Sequence, residues 1–364
     1  MEYRLKRILA AAVASLLIAS VGGVDLSDAL IGQAAAQEKG AVPGRSLGTL
    51  SDSDLWRAMR GGIQGTVTIP DKKAGVVVQS EGENWRNVRN GPLSVYGGWM
   101  LGGTIALLAV FFAIRGRIGV ERGMSGRTVE RFNDVERFTH WLTATSFIVL
   151  GLTGLNILYG RYVILPVIGP EAFSTLTEAG KYAHNFVAFA FIIGIVMMIV
   201  LWVRQNIPDR HDLIWLAKGG GILVKGVHVP AKKFNAGQKI IFWLVIITGI
   251  SISFSGLMLM FPFMLAPFGP TFAMLNIFGF GLPTDLSVIQ EMQLTQLWHA
   301  LLGLLMIALI FAHVYIGTLG MVGAFDSMGS GQVDVNWARE HHDLWAEELG
   351  LDAGPASQRD SGDD

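Results

Sequence analysis

The 364-residue chain is 51% apolar and only 16% charged, and its net charge of −1 offers no electrostatic hold on nucleic acid. A positive mean hydropathy places it among membrane proteins. It contains no cysteine, which excludes disulfides, thiolate zinc sites, iron–sulfur clusters and covalently attached haem, so any metal centre must rest on histidine, methionine or oxygen ligands.

Residues 1–36 read as a signal-like segment. A basic start, MEYRLKR, precedes the apolar run ILAAAVASLLIASVGGV, and Ala34-Ala35-Ala36 supplies small residues for cleavage. The stretch between them is long and carries Asp25 and Asp28, so an uncleaved anchor is the competing reading. Residues 37–92 are polar and glycine-rich and belong outside the cytoplasm under either reading. Within them TVTI, a turn PDKKAG, and VVVQ predict a hairpin over Thr66–Gln79, flanked by Trp56, Trp85 and Arg86. The tryptophans favour a small element pressed against a partner over a loose tether.

Five membrane-spanning helices follow by length and apolarity, over Leu93–Ile114, Phe138–Tyr159, His184–Val203, Lys239–Phe261 and Gln296–Thr318. Arg115–Arg137 holds six arginines and Arg204–Lys239 seven lysines and arginines, whereas Gly160–Ala183 has only Arg161 and Lys181, and Pro262–Trp298 has no basic residue. The positive-inside rule puts the two basic connections and the tail, 321–364, in the cytoplasm. The apolar but proline- and glycine-broken loop PFMLAPFGPTFAMLNIFGFGLP cannot face lipid with its backbone unsatisfied. It is expected at the outer interface, as a docking surface.

The last helix carries His299 and His313, fourteen residues apart, so both imidazoles leave one helix face about 21 Å from each other along the axis. His140 opens the second predicted helix and His184 the third. With the orientation above, His184 and His299 lie near the outer surface and His140 and His313 near the cytoplasm, giving two depth-matched pairs. Ionisable side chains in spanning helices mark function by default. Two imidazoles on opposite sides of a macrocycle are what a b-type haem needs, and two such pairs would carry electrons across the bilayer. Gly303 and Gly317, each four residues after a histidine, and Gly154, fourteen after His140, would let a porphyrin approach the backbone. The opposing reading makes each histidine an interfacial hydrogen-bonding residue and each glycine a helix-packing position. His211, His228, His341 and His342 fall in cytoplasmic segments and read as solvated surface residues, and the methionines as core.

The segments ERFTHW, YAHNFV, NIPDRHD, KFNAGQK, QLWHALLG, FAHVYIG and WAREHHDLW, in this order between about Arg127 and Leu349, resemble the gamma subunit, cytochrome b556, of membrane-bound respiratory formate dehydrogenase. The resemblance implies an all-α integral membrane fold. In it a four-helix dihaem cytochrome b bundle, residues 127–320, holds two haems b, one on His184 and His299 and the other on His140 and His313. It further implies an iron–sulfur beta subunit that delivers electrons from a molybdenum or tungsten catalytic alpha subunit. Quinone would be reduced beside the inner haem, with Asn235 and Gly237 lining its pocket, in a bacterial inner membrane. Asn235 as an ordinary helix cap is the competing role. Shorter members of that family begin at the first haem-bearing helix, so the helix over 93–114 is additional. It has no histidine and reads as structural. The same electron-transfer role behind a hydrogenase or another molybdoenzyme, and a non-haem membrane anchor or transporter, are the alternatives.

Overall fold

The computed structural model describes residues 65–66, 76–78, 81–221, 229–262 and 264–351, so the signal-like segment and His228 lie outside the described residues. The chain divides into two units, residues 1–97 with 261–298, and residues 98–260 with 299–364.

The elements in chain order begin with β1 (Gly65–Thr66), which pairs antiparallel with β2 (Val76–Val78) where the hairpin was expected. Next come α1 (Glu81–Val88), α2 (Ser94–Arg115), β3 (Thr128–Glu130), α3 (Asp134–Val163), the single turn α4 (Leu165–Ile168), α5 (Pro170–Trp202) and α6 (Arg210–Ala217). They are followed by α7 (Ala236–Met260), α8 (Phe268–Asn276) and α9 (Val288–Tyr315). The tail forms α10 (Asp326–Gly329), β4 (Gln332–Asp334), α11 (Val335–His341) and α12 (Asp343–Glu348). Five helices among the described residues are long and apolar enough to cross a membrane. Their large apolar side chains turn outward, Leu107, Leu152, Phe186 and Val200 among them, as lipid-facing helices require.

Three helices extend well beyond the apolar windows. The residue before α5, Gly169, takes φ +79°, and Pro170 then starts the helix at a position where its missing N–H costs nothing. His184 thus lies fourteen residues after the helix start, and does not open it as expected. Likewise α9 begins at Val288, eleven residues before His299, and α3 begins at Asp134 under a reciprocal cap between Asn133 and Glu136. Hydropathy marks what hydrocarbon tolerates, whereas a helix continues for as long as its own backbone bonds are satisfied.

In the first unit, the Glu291 carboxylate accepts from Phe268 N at 2.9 Å and Gly269 N at 2.8 Å, capping α8. The Asn276 side chain bonds Leu282 at both its N–H and its carbonyl, closing the turn after α8. Ile277, Phe278 and Phe280 on this turn are exposed.

In the second unit, α3 and α5 run against each other at close range along their length, and α7 packs on α5. Glycines permit the approach: a Cβ at Gly194 of α5 would collide with Thr143 Oγ1, and one at Gly249 of α7 would stand 2.7 Å from Ile195. Phe191, Ile195, Trp202, Phe242 and Met306 form the core between them. From His299 onward, α9 makes no comparable run of close backbone contacts with another spanning helix among the described residues. Long side chains bridge that gap instead.

The tail folds back. Strand β4 pairs antiparallel with β3, Val129 opposite Val333, and Ile118 bridges to Met321. Val333, Trp337, Ala338 and Trp345 bury themselves in a small second core against Val120 and Val129. Glu340 accepts from the backbone N–H groups of Glu121 and Arg122 at 2.7 and 2.9 Å, tying α11 to the segment after α2.

Candidate functional site

The four histidines of the spanning helices come together two by two. The rings of His184 on α5 and His299 on α9 stand with centroids 6.1 Å apart, and so do those of His140 on α3 and His313 on α9. A metal between two imidazoles needs ring centres about 6 Å apart, because each metal–nitrogen bond is ~2.0 Å and the ring centre lies about 1 Å beyond the nitrogen. Both pairs meet that condition. Each bridges the gap where α9 stands away from its neighbours, and among the described residues no cluster of three or more His, Asp or Glu offers a different metal site. The donor set, two neutral imidazoles facing each other across an apolar space, fits an axially ligated haem.

The surroundings of the two pairs differ. His184 Nδ1 lies 2.8 Å from Thr153 Oγ1 of α3, and that hydroxyl donates to Val149 O at 2.7 Å. His299 Nδ1 lies 2.9 Å from Ser255 Oγ of α7, which donates to Ile252 O at 3.0 Å. The residue after Thr153 and after Ser255 is a glycine beside the same ring: a Cβ at Gly154 would be 3.6 Å from His184 Cε1, and one at Gly256 3.3 Å from His299 Cε1. By contrast, His140 Nδ1 is buried with no hydrogen-bond partner among the described residues. Of the glycines singled out from sequence, Gly154 thus lies against the ring of His184, Gly303 faces Ile252, and Gly317 has nothing within 4 Å of its would-be Cβ.

A cavity of about 740 Å³ adjoins the second pair and takes His140, His313, Asn235 and Gly237 into its walls together with Arg131 and His342. Arg115, the last residue of α2, lines it as well, so the additional helix reaches this site although it carries no histidine. Asn235 caps α7: its Oδ1 accepts from Gln238 N at 3.0 Å while Asn235 N donates to Gln238 Oε1 at 3.0 Å. The absent side chain of Gly237 leaves room for Trp215, whose ring would lie 2.9 Å from a Cβ there.

His342 overturns its reading as a solvated residue. It is 1% exposed, its Nδ1 donates to Lys232 O at 2.7 Å, and its Nε2 accepts from Arg131 at 2.9 Å. Burial, reinforced by the Arg131 charge, holds this imidazole well below its ordinary pKa, so it is neutral. Arg131 also donates to Lys233 O, Gln238 Oε1 and Ser327 Oγ, and stacks over Trp337 at 5.0 Å. Burial brings its guanidinium down to about 9, partly opposed by Glu136, which leaves it charged at neutral pH. One side chain thereby ties the start of α3, the segment before α7 and the tail around the cavity. His211 sits half-buried beside Asp209, its Nδ1 3.2 Å from the carboxylate. Arg131 was not singled out from sequence, and the signal for His342 was the pair of tryptophans, Trp337 and Trp345, that flank it in WAREHHDLW.

Comparison with known proteins adds two findings. A family model described as prokaryotic cytochrome b561 matches residues 131–331. The nitrate-inducible formate dehydrogenase cytochrome b556(Fdn) subunit of Escherichia coli is 26% identical over 225 residues, 61% of this chain and 92% of that protein. A second cytochrome b556 subunit of that organism, fdo, is 25% identical over 223 residues, and a formate dehydrogenase cytochrome b556 subunit of Haemophilus influenzae is 23% identical over 216, covering 58% of this chain and 79% of that one.

Proposed function

Since the chain belongs to the prokaryotic cytochrome b561 family, whose members are haem b proteins of membranes, we propose that it is the cytochrome b subunit of a formate dehydrogenase, passing electrons from an iron–sulfur partner subunit to quinone. The observation that carries this reading is the pair of facing imidazoles, each with ring centroids 6.1 Å apart, stacked along one helix.

His184 with His299, and His140 with His313, hold one haem b each. When bound, the haem irons supply a one-electron couple. The chain's own residues do the rest: four imidazoles present neutral nitrogen donors, the apolar helices exclude water, and α9 spaces the two sites about 21 Å apart along its axis. The charge of the two basic connections supports an orientation with the His184/His299 site toward the periplasm and the His140/His313 site toward the cytoplasm. Residues 37–92 are then periplasmic and the tail cytoplasmic, in a bacterial inner membrane. Quinone binds in the cavity beside His313, where the Asn235 amide donates to a ring oxygen and Gly237 makes room for the Trp215 ring in the cavity wall. Protons for its reduction come from the cytoplasm. Moving one charge across the membrane field costs about 2.3 kcal/mol per 100 mV, so electron passage in this direction stores energy as a proton-motive force.

On this reading formate oxidation belongs to a molybdenum or tungsten catalytic subunit. The kinship to formate dehydrogenase subunits supports this head over a hydrogenase. The testing experiment is a dithionite-reduced minus oxidised spectrum of the purified subunit with a pyridine haemochrome count. Two b haems per chain are expected. A well-folded, colourless preparation would overturn the reading in favour of a histidine-bearing anchor.

A further inference from the structure

Given the two bis-histidine haem sites proposed above, we infer that Thr153-Gly154 and Ser255-Gly256 are matched clasps that fix the ring and tautomer of His184 and His299. They make that pair the more electron-rich, lower-potential centre of the two.

Each hydroxyl has one proton, and in both cases a backbone carbonyl of its own helix takes it: Val149 O for Thr153 and Ile252 O for Ser255. With the hydroxyl proton so assigned, lone pairs face the imidazole and Nδ1 is taken as the protonated nitrogen of both rings, in keeping with a backbone acceptor beside each, that of Leu150 for His184 and of Ile252 for His299. That leaves Nε2 of each as the metal-binding lone pair. The glycine that follows carries no Cβ to press on Cε1 of the same ring, which leaves the imidazole room to seat in this orientation. The arrangement is built twice, from different helices, α3 for one ring and α7 for the other.

An imidazole N–H donated to an acceptor gains negative character on the ring, and here the acceptor hydroxyl is itself polarised by the carbonyl it donates to. A more basic axial ligand stabilises the oxidised iron and lowers its potential. His140 Nδ1 has no such partner among the described residues and lacks this push. On the proposed orientation the lower-potential site stands where electrons enter, and transfer onward to the His140/His313 site is downhill.

The test is a potentiometric titration of the reduced b-haem absorbance, with low-temperature spin resonance of the oxidised state, on the haem-loaded subunit and its Thr153→Val, Ser255→Ala and Thr153→Ser variants. In the Thr153→Val/Ser255→Ala double variant the lower midpoint should rise by ~59 mV for one electron, about a tenfold fall in the oxidised-to-reduced ratio at a fixed potential, while the upper midpoint stays in place. Thr153→Ser should restore the wild-type value and resonance. Two haems present with the lower midpoint unmoved, or with the upper one moving instead, would overturn the clasps and leave the haem sites standing. A His184→Ala variant that kept both haems would overturn the sites themselves, and the clasps with them. If Thr153→Val loses a haem, Ser255→Ala decides from the opposite ring.

Discussion

The two imidazole pairs have the same ring separation and share one helix, yet they are built to different ends. In the His184/His299 pair each ring has a hydroxyl at its Nδ1, from Thr153 of α3 or Ser255 of α7, followed by a glycine beside its Cε1. The His140/His313 pair is open to a cavity of about 740 Å³ walled by a buried, charged network. A site that only relays electrons gains from rigid, tuned ligands, whereas a site that hands them to a diffusing molecule needs space beside it and groups that can hold that molecule. On the proposed function, the difference would separate relay from delivery within one bundle.

The largest effect that would break this comparison is loss of a ligand. His313→Ala should remove one haem of two and abolish quinone reduction, while His299→Ala should remove the other haem and leave the cavity intact; haemochrome counts and quinone-dependent oxidation of the reduced subunit read both.

Next in size is the network that only the open site possesses. Arg131 is fully buried and bonds Lys233, Gln238, Ser327 and His342, so Arg131→Ala strands several buried acceptors and should cost roughly 3–5 kcal/mol, loosening the tail without changing the His184/His299 spectrum. Limited proteolysis of the tail and thermal unfolding measure it.

A subtler change separates the two roles of Asn235. Asn235→Ser keeps a capping oxygen for Gln238 N, so stability should hold within about 0.5 kcal/mol, while loss of the amide should raise the quinone KM several-fold. An unchanged KM would reduce Asn235 to a cap.

The smallest effect concerns pH. His342 is neutral when folded and takes up a proton near its ordinary pKa of about 6.5 when unfolded, so the unfolded chain binds more protons below that value. Tail stability should therefore be full above pH ~6.5 and decline as pH falls through and below it. His342→Gln should flatten that slope in thermal scans from pH 7.5 to 5.5.

Much of the molecule was legible in the chain before folding. The five spanning helices are written in their apolar runs, because hydrocarbon rejects an unsatisfied backbone whatever the neighbours do. The expected pairing of the histidines rested on charge in the connections, and the structure brings His140 to His313 and His184 to His299. Helix limits were less legible: α5 and α9 run well past their apolar windows through polar residues such as Glu178 and Gln293, which hydropathy counts as loop. The burial of His342 was missed for a related reason, since a polar tail gives no periodic signal until a partner segment covers it.

The sequence by itself determined that this is a helical membrane protein and confined any metal donor to histidine, methionine or oxygen, because composition, absence of cysteine and apolar length are properties of residues taken one at a time. Only the tertiary structure decided which hydroxyl meets which ring and which pair opens on a cavity. It alone decided that Arg131, just before α3, meets the tail at His342 and Ser327 beside that cavity. Those facts depend on contacts between residues such as Thr153 and His184 or Arg131 and His342, which have no local period or spacing and exist only once separate helices have packed.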